Sequence, residues 1–185
     1  MVIRAGLRGA FMLARGRSEG LMLIEESPAG AGRSFWAGAL CVPVFVLLRL
    51  LSWWMGATPR AGIPFSLLAG LVAEIAIWVG FALASQQLAI ATAREKQWPH
   101  FLAAWNWGNA VQYTLLLGLT LPSLLGLPET LGFGLGLAAF GYALWLEWFI
   151  AKEALHIPGG RAAMFVALDL ILGMFIGGFV GKITG

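Results

Sequence analysis

Charge is what this 185-residue chain has least of: only 11% of it is Asp, Glu, Lys or Arg. An ordinary soluble domain carries roughly 25%, so the shortage, with a mean hydropathy of +0.82, argues against a water-soluble globule. Cysteine is nearly absent. The single thiol, Cys41, excludes an internal disulfide and any zinc-finger spacing. It lies within an apolar run, where burial favours an inert thiol. Only two histidines, His100 and His156, are present, and Pro99 and Pro158 put both at irregular junctions, a poor arrangement for bis-His haem. Also missing are a Ser/His/Asp set, an HExxH helix, a phosphate-binding glycine loop and clustered aspartates for metal-assisted chemistry. The residues therefore argue against an enzyme and call for no cofactor or metal.

What is abundant points to lipid. The chain is 59% apolar, with 25 Gly, 12 Phe and nine Trp, a mixture suited to helices packed in a bilayer with aromatic residues at its interfaces. A helix needs roughly 20 apolar residues to cross the hydrocarbon core. Five stretches qualify, at about 35–55, 63–88, 101–121, 130–150 and 162–180. The expected fold is all-α: an integral membrane bundle of five transmembrane helices over residues 34–185, preceded by an N-terminal amphipathic interfacial helix within residues 1–33. Short connections predict that sequential helices are antiparallel neighbours. Pro43 should kink the first span. Trp36, Trp53, Trp54, Trp98, Trp105, Trp145 and Trp148 lie near span ends and read as an aromatic belt.

The cations set the orientation. Arg4, Arg8, Arg15, Arg17 and Arg33 precede the first span, Arg94 and Lys96 follow the second, and Lys152 and Arg161 follow the fourth. Only Arg60 and Lys182 fall on the other side. The N-terminus is thus expected in the cytoplasm and the C-terminus outside, most simply in a bacterial inner membrane. Arg15 and Arg17 break the first apolar run, so the start does not read as a signal peptide. Ile3, Leu7, Ala10, Phe11 and Ala14 instead recur at helical spacing beside a stripe of Arg4, Arg8 and Arg15. Such a helix lies in the interface with its guanidinium groups among anionic headgroups. The expected partners are therefore the lipid bilayer and its anionic headgroups; a basic aromatic cluster for nucleic acid is missing. A second short helix is predicted from a Ser18 cap to about Glu26, then a linker through Pro28, Gly30 and Gly32.

Four ionisable residues fall inside spans, each costing ~2.5–3.5 kcal/mol at mid-membrane. Arg49 and Glu74, on sequential spans, are the candidate ion pair. Glu147 and Asp169 share the cytoplasmic half with Asn106, Asn109 and Gln112, which recur on one helical face, and with Gln86. These six form a candidate polar pocket, either interhelical packing or a vestibule for a polar solute or a proton. Gly173, Gly177 and Gly181 make a doubled GxxxG pattern, expected as a seam closing the fifth span against the fourth. The same pattern leaves a homo-oligomer open.

Five spans, short loops and an arginine-bearing start (Leu13-Ala14-Arg15-Gly16) leading to Arg33-Ser34-Phe35-Trp36 resemble the Yip1-domain membrane proteins. The resemblance implies a non-enzymatic integral membrane protein that organises or interacts with partners, as a scaffold or accessory subunit. The acidic-Leu-Tyr-Gly-Pro type motif of eukaryotic members is absent, so small-GTPase binding and vesicle trafficking do not carry over. The alternative is a small transporter or proton-linked channel working through Glu147 and Asp169. A haem- or quinone-holding respiratory anchor is a third, minor reading.

Overall fold

The computed structural model describes residues 2–126 and 128–185. They form α1 (Val2–Leu13), a 3-10 helix at Ser18–Leu23, α2 (Pro28–Ser34), α3 (Trp36–Trp54), α4 (Ile63–Ala91), α5 (Trp98–Leu124), α6 (Glu129–Leu155) and α7 (Gly159–Thr184). Among the described residues there is no strand.

The stretch expected as a linker is a helix. Ser27 caps α2 by accepting the Gly30 amide at 2.9 Å, and Pro28 occupies the first turn, where its missing N–H costs nothing. Only Phe35 separates α2 from α3, so Pro28–Trp54 reads as one apolar helical stretch of 27 residues. The preceding 3-10 helix is flanked by Arg17, not capped by Ser18. Pro64 opens α4, and α6 ends where His156 turns left-handed at φ 53°.

Four helical stretches, Pro28–Trp54, Ile63–Ala91, Thr130–Leu155 and Gly159–Thr184, are long and apolar enough to cross a membrane. They mark an integral membrane protein. The third sequence-predicted span, now α5, is equally long but is not one of the four. It carries His100, Asn106, Asn109, Gln112 and Tyr113, and it affords them by being wrapped in protein: every residue from Phe101 to Ala110 is buried. Polar groups can sit in such a helix because other helices, not lipid, surround them.

The neighbours are not those of an up-and-down bundle. α5 packs on α6, α3, α2 and α1; α7 packs on α4 and α6; α4 touches α3 and α5 only sparsely. Sequential order therefore fails at α3–α4 and α4–α5, although the connections are short.

Packing density differs between the two ends. Where α4 ends, α5 begins, α6 ends and α7 begins, a core forms around Phe81, Phe101, Trp105, Trp107, Ile150 and Phe165. Trp105 stacks on Phe81 with ring centroids 4.2 Å apart, and Phe101 meets Phe165 edge-on at 5.2 Å. Trp105 is thus core, not belt. At the opposite end large apolar side chains face outward, among them Leu68, Phe133, Leu137, Met174, Phe175 and Phe179. Outward apolar side chains over this length are what hydrocarbon contact requires.

Candidate functional site

α1 has three adjacent longitudinal stripes. Gly6, Gly9, Ala10 and Leu13 are buried against the protein. Leu7 and Phe11 are exposed beside them, and Arg4, Arg8 and Arg15 are exposed next in turn. The small residues permit close approach. A Cβ on Gly6 would run into the Trp107 indole, and one on Gly9 would meet the Gly20 carbonyl oxygen at 2.6 Å. The face that seats α1 is thus the small-residue one, while Ile3, Leu7 and Phe11 stay exposed, Leu7 and Phe11 at the edge of a groove between α1, α5 and α6.

Three side chains from the long helices then staple the N-terminal segment down. His100 Nε2 lies 3.1 Å from the Leu21 carbonyl oxygen, Asn106 Nδ2 donates to Ser34 Oγ at 2.7 Å, and Tyr142 Oη donates to the Ala14 carbonyl at 2.5 Å. Ser34 Oγ in turn donates to the Ala31 carbonyl at 2.6 Å. His100 is 8% exposed and works as a buried brace rather than as an interfacial histidine.

The six residues of the predicted pocket are accordingly dispersed. Asn106 is spent on Ser34, Gln112 donates to the Ala143 carbonyl at 3.3 Å, and Gln86 lies partly exposed on α4. Asn109 is 8% exposed and its Nδ2 has no partner among the described residues. Glu147, 7% exposed, and Asp169 are brought together as expected: their carboxyl groups are neighbours across α6 and α7, with the Trp105 indole beside Glu147. Asp169 Oδ1 is buried and has no partner among the described residues.

The predicted Arg49–Glu74 ion pair is not formed among the described residues. Glu74 accepts the Tyr113 hydroxyl at 2.8 Å, and the Arg49 guanidinium sits 5.3 Å from the Phe45 ring centroid. The reason is the sparse α3–α4 contact, which leaves the two side chains on a shared cavity wall instead of in a bridge. That cavity, about 120 Å³ and lined also by Ser66, Gly70, Gly177 and Gly181, is the most polar of four. Ser66 Oγ is buried there without a partner among the described residues. A second cavity of about 250 Å³ opens between α3 and α4, with Cys41, Glu74, Trp78 and Tyr113 in its wall. A third, about 210 Å³, lies where Gly6, Glu25 and Trp107 meet. The largest, about 870 Å³, runs between α1, α5 and α6. None of the six predicted pocket residues lines any of these four.

The glycine seam also departs from expectation. A Cβ at Gly173, Gly177 or Gly181 would meet nothing within 4 Å, and the same holds at Gly134 and Gly136 on α6. α7 finds its main neighbour in α4, so its glycines close no seam against α6.

Sequence reasoning missed Ser34, Tyr142, Trp107 and the glycines of the α1 contact. Gly6, Gly9, Ala10 and Leu13 do form a small-residue face at helical spacing, a usable signal, but the bulkier Ile3–Leu7–Phe11 stripe beside it is more conspicuous.

Set against models of known protein families, against characterised proteins and against solved structures, the chain matches none. Fold and site define a class: an all-helical integral membrane protein whose buried polar groups brace its N-terminal segment.

Proposed function

We propose that the chain is a non-enzymatic scaffold or accessory subunit of a membrane assembly, Yip1-like in layout, with five spans, of which α5 is the third. Its N-terminus is cytoplasmic, its C-terminus is outside, and the host membrane is a bacterial inner membrane. α1 lies in the cytoplasmic interface, its Ile3–Leu7–Phe11 stripe toward lipid and its arginines among phosphates.

The observation that carries this reading is a set of open glycine positions on α6 and α7. Glycine in a helix interior costs about 1 kcal/mol relative to alanine, and at Gly134, Gly136 and Gly173, which line none of the four cavities, no neighbour among the described residues requires it. A close helix from outside the chain, a second copy or another subunit, supplies the requirement. Cross-linking in native membranes followed by mild-detergent purification should recover a homo-oligomer or a stoichiometric complex. Gly136→Leu, at an exposed position on α6, should keep the fold and lose the cross-link. A cross-linked preparation containing only monomer refutes the proposal.

The carboxyl pair favours a second reading, a proton-linked channel or small transporter. Glu147 and Asp169 sit side by side, with a buried oxygen that has no partner among the described residues. Proton flux into liposomes, compared between wild type and Asp169→Asn, decides it; equal background flux removes it.

A further inference from the structure

The 870 Å³ groove combines two features that belong to one kind of molecule. Its mouth carries Arg8 and Arg15, both exposed, and neither has a carboxylate within 4 Å among the described residues. The Arg15 guanidinium rests 4.1 Å from the Phe11 ring centroid, which holds it at the rim. Below the rim the walls are almost wholly apolar, with Val111, Gly118 and Leu135 among them. Tyr142, the wall's phenol, is already committed to the Ala14 carbonyl. The groove follows α5 from Ala110 to Leu119, roughly 13 Å of helix rise, alongside the outward-facing Leu116, Leu131 and Leu137 of the apolar end.

Cations at the top and hydrocarbon below reproduce the polarity order of a phospholipid. The volume lies within the roughly 300–1,000 Å³ of pockets that hold small ligands. A soluble anion has no use for the apolar length, and a neutral lipid leaves two guanidinium groups without a partner. We propose that this groove holds one anionic phospholipid, its phosphate between Arg8 and Arg15 and an acyl chain laid along α5 and α6. The lipid would act as a wedge, tying α1 to the bundle beyond the staples at Ala14, Leu21 and Ser34. The inference rests on the membrane placement proposed above and is independent of any protein partner.

The test is native mass spectrometry of the full chain, delipidated in mild detergent and titrated with phosphatidylglycerol or phosphatidylcholine. Wild type should retain one phosphatidylglycerol in preference to phosphatidylcholine. Arg8→Gln and Arg15→Gln should each weaken that retention about fivefold, the scale of one basic residue near an anionic surface. Gly118→Phe, which fills the groove where nothing lies within 4 Å of the Cβ position, should lose both lipids at unchanged helicity. If Gly118→Phe does not fold, the two arginine variants alone decide. Arg4→Gln is the control, being exposed on α1 but absent from the groove wall. Equal loss in Arg4→Gln and Arg15→Gln overturns the groove site while leaving the interfacial helix standing. No preference for the anionic lipid in wild type overturns it as well.

Discussion

Substituting Gly9 by alanine puts a methyl group against a backbone atom, and nothing there can rotate away. The added Cβ would stand 2.6 Å from the Gly20 carbonyl oxygen and 2.8 Å from Ile24 Cγ1. Ordinary van der Waals contact starts near 3.4 Å, so α1 and the 3-10 helix must separate by about 0.8 Å, a gap that forfeits much of the dispersion contact along the seam. Leu13, fully buried, and Leu21, 9% exposed, lie on that seam. Overpacking of this kind costs about 1–3 kcal/mol, which outweighs the ~0.5–1 kcal/mol that alanine normally gains over glycine in a helix. Gly32→Ala is the matched control. Gly32 is exposed in α2 with nothing within 4 Å of its Cβ position, so there only the gain remains. Hydrogen exchange of the full chain in lipid nanodiscs reads the difference at the α1 amides, since local opening free energies set the protection. Gly9→Ala should lower protection there by roughly tenfold, the net cost being about 1.3 kcal/mol at mid-range and 1.4 kcal/mol being a factor of ten, and Gly32→Ala should not. Equal protection in both variants would falsify the seating of α1 through glycine contacts.

Other outcomes follow from single contacts. Tyr142→Phe removes the bond to the Ala14 carbonyl and should cost about 1 kcal/mol, lowering the thermal midpoint by roughly 2–4 °C. Tyr113→Phe leaves Glu74 without its donor inside the bundle, a loss of about 1–3 kcal/mol that should exceed the Tyr142→Phe effect in the same melt. Trp107→Ala empties a site that is 2% exposed beneath Gly6 and should cost about 3–5 kcal/mol, read as loss of the folded fraction after detergent extraction. Glu25 gives a pH effect. Hydrogen bonds from Arg33 and Ser27 hold its carboxyl below the ordinary value of 4.5, so the folded state binds fewer protons. The contribution is complete above 4.5 and fades as pH falls through the lower folded value. Acid should therefore loosen the start of α2, seen in the Gly30 amide resonance, and Glu25→Gln should flatten that dependence.

Apolar length was the legible quantity. Runs of about 20 apolar residues announce long helices whatever packs on them, and α3, α4, α6 and α7 appear where the runs do. Neighbours were not legible, because short loops only restrict which helices can touch. α3 and α4 are joined by a short connection yet splay apart around a cavity of about 250 Å³. With that splay went the Arg49–Glu74 bridge. The pairing of Glu147 with Asp169 was legible for a different reason: α6 and α7 do pack, and both acids sit toward the end where those helices meet. Proline and glycine misled at residues 28–34, where Ser27 converts the same composition into a capped helix.

The dispersal of the amides has a physical rationale. A polar group inside a membrane bundle must find a partner there, and a solute-binding vestibule keeps several such groups waiting for the solute. Here His100, Asn106 and Tyr142 meet their partners in the N-terminal segment. That segment is glycine-rich and basic, and the staples add to the burial of its small-residue face. Each staple satisfies a backbone or hydroxyl group of the segment and a side chain of the bundle at once. α5 thereby trades lipid exposure for the role of central post. Glu147 and Asp169 stand outside this economy. Their neighbouring carboxyls serve no staple, and Asp169 Oδ1 has no partner among the described residues. The brace accounts for His100, Asn106 and Tyr142, and the neighbouring acids are a separate feature of the interior. Flux through Asp169→Asn therefore tests a part of the polar interior that structural bracing leaves unexplained.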